Sequence, residues 1–259
     1  MRPSRHLYSI QSIRMSAAAT TVAATTVAVP TKTANALVAI KGNKAEDILC
    51  VQPSVKSGLE AYFGKPIRSI TKIGRRKKSD NLIEFMDGTK VPIQNKDGPC
   101  TGRGHSIDRR KISSLTEDTY LHNLLERVCL RKPEVLTAPV PKVISDLCVS
   151  LCLLGTDAEN QPQYFLHTLL NEESTKITHL SIVEASVFMD RVKADLFPVM
   201  ETKRTCVHLS PNLYFQRKGG GASDHSPDDV QTKIRFNPTP SRAIPSPTNL
   251  FTLFTPVPL

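Results

Sequence analysis

Two short alternating runs on either side of Asp87-Gly88 constrain this chain more than any other feature. Asn81-Leu82-Ile83-Glu84-Phe85 and Thr89 to Asn95 carry apolar residues at the two-residue period of a strand with one buried face. Asp-Gly between such runs supplies the positive backbone angles of a tight hairpin. A third run, Ile67 to Ile73, alternates in the same way ahead of the basic turn Gly74-Arg75-Arg76-Lys77-Lys78-Ser79. Together they predict an antiparallel meander.

Closing the hairpin sets its two open ends side by side. Asp80 begins one strand and Gln94-Asn95-Lys96 ends its neighbour, with Gln94 and Lys96 sharing a face. Metal-assisted hydrolysis of a phosphodiester needs oxygen donors for a hard cation such as Mg²⁺. It also needs a positive group near the attacking water. One carboxylate, one amide and one ammonium group at the same strand ends meet those needs.

Helices are expected before the meander, over Lys44 to Leu49 and Ser54 to Phe63, the second capped by Ser54 and stopped by Gly64-Lys65-Pro66. After it come the glycine- and arginine-rich segment Gly102 to Arg110, read as a loop, and helical periodicity over Glu117 to Leu130 and Val143 to Leu154. Ser181 and Glu184 fit a capping box for a helix over Ser181 to Leu196. Late strands are expected at Cys206 to Leu209 and Leu213 to Arg217. Such an order predicts an α/β sandwich around one mixed sheet.

Ser79-Asp80, followed across the hairpin by Gln94-Asn95-Lys96, resembles the PD-(D/E)XK nuclease superfamily over about residues 41 to 97. The resemblance implies a restriction-endonuclease-like mixed central sheet flanked by helices. It implies metal binding by Asp80, Gln94 and the Asn95 carbonyl, catalysis by Lys96, and a further glutamate from the first helix, for which Glu46 is the candidate. Serine replaces the family's proline before Asp80. At position 94 glutamine replaces the usual acid, a neutral donor in place of a charged one.

Charge supports a polyanionic partner. The chain carries 34 Lys and Arg against 24 Asp and Glu, a net of +10. Lys65 to Lys111 contributes +8 of this, from 13 basic and 5 acidic residues. A concentrated basic field of this kind suits a phosphate backbone; a solvated lysine-rich loop is the bland alternative. Candidate contacts are Arg75, Arg76, Lys77, Lys78, Arg103, His105, Arg109, Arg110, and Gln216, Arg217 and Lys218 in Tyr214-Phe215-Gln216-Arg217-Lys218-Gly219-Gly220-Gly221. No GxxxxGK[ST] loop is present to support ATP-driven action. Six cysteines form no CxxC pair, so reduced thiols are expected, with Cys148 and Cys152 packed in a core.

The ends differ from the middle. Residues 1 to 38 are rich in Ala, Thr and Val, and form either low-complexity disorder or an organelle transit peptide. Residues 237 to 259 carry six prolines, which predicts an extended tail with a possible docking tip at Leu250 to Phe254. An α/β domain over 39 to 236 lies between them. No run reaches the roughly 18 apolar residues that span a bilayer, so a soluble intracellular protein, nuclear or cytoplasmic, is expected. The leading expectation is an endonuclease that cuts DNA with Mg²⁺ or Mn²⁺, with a site-specific restriction-type enzyme and a homodimer as its candidate forms. A non-catalytic nucleic-acid-binding protein on a degenerate nuclease fold is the main alternative. An adaptor working through the proline-rich tail is the third.

Overall fold

In the computed structural model the described residues are 34–73, 78–98, 104–131, 137–139, 142–197, 199–203, 206–217, 229–238 and 248–259. Residues 1–33 of the expected N-terminal segment, the turn residues Arg75, Arg76 and Lys77, and Arg103 and Lys218 therefore lie outside them.

The chain begins with helices α1 (Ala34–Val51) and α2 (Pro53–Phe63), then strands β1 (Ile67–Lys72), β2 (Asn81–Phe85), β3 (Lys90–Asp97) and β4 (His105–Lys111). Next come α3 (Thr119–Leu125), β5 (Thr137–Pro139), α4 (Lys142–Leu154), β6 (Tyr164–Leu170) and β7 (Ile177–Glu184). Helix α5 (Ala185–Ala194), β8 (Val199–Lys203), β9 (Cys206–His208), β10 (Leu213–Arg217), β11 (Asp229–Ile234) and β12 (Thr255–Val257) complete it.

The meander forms as its alternation predicts. Asn81 pairs with Ile93 and Glu84 with Lys90 across the β2–β3 hairpin, and Lys72 pairs with Asn81 across β1–β2. At the turn Gly88 has φ 84° and the Phe85 N–H donates to the Thr89 carbonyl at 2.9 Å. Positive φ of this size favours glycine.

Two sheets form, not one. The first is mixed, in the order β1-β2-β3-β6-β7-β12, with β3 and β6 parallel and its other pairs antiparallel. The second, β4-β11-β10-β9-β8-β5, is antiparallel throughout. The expected mixed α/β class with helices flanking a mixed sheet holds, and the second sheet is an addition to it.

Each face of the first sheet is apolar. One face packs Ile67, Ile83, Ile93, Leu166 and Ile182 against Leu49, Val55 and Leu59 of α1 and α2. The other presents Phe165 and Val183 to a larger core with Leu121, Val149 and Phe188 of the helices and Phe215 and Val230 of the second sheet. Cys148 and Cys152 are buried in that core, as expected, and the described cysteines are free thiols.

Several local expectations fail for physical reasons. Helix α1 starts at Ala34, so a boundary at 38 would cut through it. Gln52, not Ser54, is the N-cap of α2, because Pro53 takes the first helical position. Ser181 does not cap a helix: it lies buried inside β7, and α5 begins after Glu184, which is extended at φ −64°, ψ 137°. The arginine-rich segment is not a loop from His105 on, since its backbone is paired to β11. Thr248–Leu259 is not a free tail either. Leu250, Phe254 and Val257 are buried, and β12 pairs with β7, so the apolar tip docks on its own chain.

Candidate metal and phosphodiester site

The open end of the β2–β3 hairpin is held on both sides. The Asp80 N–H donates to the Ile93 carbonyl and the Ile73 N–H to the Asp80 carbonyl, each at 2.9 Å. From this pinned position the Asp80 carboxylate accepts the Asn95 N–H at 2.8 Å. Lys96 Nζ lies 3.6 Å from the same oxygen. With side chains 22% and 15% exposed, the pair is neither buried nor freely solvated, so the attraction is screened less than at a fully exposed site.

Strand alternation sorts the neighbours. Ile93 faces the α1–α2 core, so Gln94 and Lys96 take opposite directions from it, as expected. Asn95 is buried and its side-chain oxygen accepts from Thr168 Oγ1 at 3.2 Å on β6. That side chain is committed to the sheet, which leaves the main chain of Asn95 to serve the site. Gln94 is 3% exposed and its Nε2 donates to the Lys78 carbonyl at 3.2 Å. Its Oε1 is buried with no hydrogen-bond partner, which is costly unless something polar meets it.

Glu46 reaches the same end of the sheet from α1. Burial first, and the negative charge of Asp80 second, push its carboxyl above the usual carboxylate range, while Lys72 and Lys96 oppose the rise. Lys72 Nζ bridges Glu46 at 3.0 Å and Asp47 at 2.9 Å. The Glu46 carbonyl accepts from Asn81 Nδ2 at 3.2 Å. Sequence reasoning missed Lys72 and Asn81, although the meander register that sets them opposite each other was within reach of the strand pattern.

Asp80, Asn95 and Lys96 are thus in direct contact, Glu46 lies within electrostatic reach of Asp80 and Lys96, and Gln94 stands beside them on β3 with its amide turned to the Lys78 carbonyl. Among the described residues, no group of three or more His, Cys, Asp or Glu is arranged to hold an ion. Glu46 and Asp80 would be the acidic donors of any such shell, with neutral oxygens and water completing it. Oxygen donors of this kind fit a hard cation, and the orphaned Gln94 oxygen is a neutral donor ready for one.

Two of the predicted phosphate contacts do not fit that role. Lys78 is not on the surface: its side chain is 9% exposed, with Nζ donating to the carbonyls of Ile107, at 2.7 Å, and Cys152 and lying 3.6 Å from Asp108. Burial pushes its ammonium below the usual lysine range, against the pull of Asp108. Arg217 is 5% exposed on the inner side of β10, beside Val230, so its charge does not face solvent.

Arg109 is exposed and bridges Asp229 at 2.6 Å. Arg110 is half-buried and held by Asp108. His105 is half-buried with its ring 5.2 Å from that of Phe236. Gln216 lies level with Gln231, which lies level with Arg109, so these three form a row across β10, β11 and β4. The two basic segments, far apart in sequence, therefore meet in the second sheet.

No protein-family model matches the sequence, and no curated protein matches it. Among solved structures, the chain is similar to the restriction endonuclease MspI in complex with its cognate DNA, at 11% identity and a TM-score of 0.39, over 69% of this chain and 76% of that one. No helix among the described residues is long and apolar enough to cross a membrane.

Proposed function

We propose that this chain is a divalent-metal-dependent endonuclease that hydrolyses phosphodiester bonds in DNA. The observation that carries the reading is the Asp80 carboxylate clasped between the Asn95 N–H and the Lys96 ammonium at the open end of the hairpin. Asp80, Glu46 and the Gln94 amide oxygen would hold Mg²⁺ or Mn²⁺, which supplies charge neutralisation and an acidified water when bound. Lys96 offsets negative charge growing on the phosphate and orients the nucleophile by hydrogen bonding. Asp80 sets the position of Lys96, and the sheet keeps both from drifting. The basic second-sheet edge, with Arg109 exposed, supplies sequence-independent attraction to the backbone.

Cleavage of supercoiled plasmid with Mg²⁺ or Mn²⁺ tests this. Asp80→Ala and Lys96→Ala should each lower the rate by about 10²-fold or more, with unchanged far-ultraviolet circular dichroism. Equal rates in all three proteins would remove the site. The paucity of acidic ligands favours one second reading, a non-catalytic DNA-binding protein. Its signature would be salt-dependent binding with no cutting under any divalent cation.

A further inference from the structure

The amide at position 94 makes a bond that a carboxylate could not. Gln94 Nε2 donates to the Lys78 carbonyl at 3.2 Å, whereas an ionised glutamate has no hydrogen to give and would turn an oxygen toward that carbonyl. With the nitrogen occupied, Oε1 is the atom left over, buried and without a hydrogen-bond partner.

The carbonyl that holds Gln94 is itself anchored. The Lys78 side chain crosses to the second layer, where its ammonium meets the Ile107 carbonyl of β4, the Cys152 carbonyl of α4, and Asp108. Asp108 is fixed in turn by Arg110. Gly155, at φ +78°, leaves room for the lysine stem, since a Cβ there would sit 3.2 Å from Lys78 Cβ. The next residue is tied as well, with Ser79 Oγ donating to the Asn160 carbonyl at 2.8 Å.

We propose that Lys78 is a positioning residue whose buried anchorage locks Gln94, so that the amide oxygen faces the Asp80–Lys96 site as a neutral ligand that glutamate cannot replace. The ligand role rests on the nuclease reading; the lock does not. In this view glutamine at 94 is a working part of the site and not an eroded acid.

Both parts are open to test on the full chain. The Gln94 side-chain amide pair, assigned by its disappearance in Gln94→Glu, should exchange with solvent at least about tenfold more slowly than an exposed glutamine amide. Lys78→Met, which keeps the stem and removes the donors, should abolish that protection. Mn²⁺ affinity, measured by electron paramagnetic resonance, should fall about 10- to 100-fold in Lys78→Met, as for removal of groups that orient metal ligands. It should fall, not rise, in Gln94→Glu. An unprotected Gln94 amide in the wild type overturns the lock even if Lys78→Met does not fold, and so does protection that survives in Lys78→Met. Tighter Mn²⁺ binding by Gln94→Glu overturns the claim that the amide is required. A wild type that binds no Mn²⁺ but shows the protected amide defeats the nuclease reading and the ligand role while leaving the lock standing.

Discussion

His167, level with Lys96 on the neighbouring strand, shows what a single buried side chain can do to stability. It is 1% exposed on β6, ringed by Phe236, Phe251 and Phe254, with Nε2 donating to the Gly98 carbonyl at 2.7 Å. Burial, with His105 and His179 nearby, lowers its pKa to about 4. An unfolded histidine titrates near 6.5, so the unfolded chain binds the extra proton between these values. Its stabilising effect is complete above about pH 6.5 and is lost as pH falls toward 4, a change of up to about 3 kcal/mol. Urea midpoints at pH 7 and pH 5 should show the fall, and His167→Gln should flatten it. At this scale the sequence is a poor guide: Asp80, Gln94 and Lys96 could be picked out because a hairpin register relates them. Lys78 could not, because nothing in a run of basic residues says which one turns inward.

Elements were legible where one face is buried and the other is not. The β2–β3 hairpin announces itself by alternation and by Asp87-Gly88. Strand β6 does not, because both of its faces are covered, and Tyr164-Phe165-Leu166 reads as an unbroken apolar run. Strand β4 hides for the opposite reason: its inward positions include Asp108 and Arg110, with Asp108 paired to both Arg110 and Lys78, so charge stands where apolar residues are expected. Ser181 and Glu184 imitate a helix start because the same spacing falls at the end of β7. Helix α2 adds a packing constraint invisible in sequence. At Gly58 a Cβ would overlap the Pro258 carbonyl, well inside van der Waals contact, so the end of β12 can approach α2 only over a bare backbone. Gly58→Ala should destabilise the protein by about 1–3 kcal/mol, read as a lower urea midpoint with an unchanged slope.

Across the whole molecule, the first sheet is a shared wall between two cores, and the C-terminal residues close one of its edges. A proline count suggested an open tail because prolines are costly inside a sheet; at an edge strand, where the unpaired side needs no donor, Pro256 is tolerated. Phe254 joins that edge to the larger core, in contact with the rings of Phe188 and Phe236. Phe254→Ala should cost about 3–5 kcal/mol, measurable by equilibrium denaturation, although the residue is remote from Asp80 in sequence.

The parallel pairing of β3 with β6 has a kinetic consequence. The hairpin that joins Asp80 to Lys96 closes a short loop, whereas the Asn95–Thr168 contact must wait until β4, α3, β5 and α4 have been gathered between its partners. Distant pairings of that sort form slowly. On refolding, the charge pair should assemble early on a loose ribbon and acquire its rigid backing late, so hydrogen-exchange protection across the β3–β6 pairing should lag behind that of the hairpin.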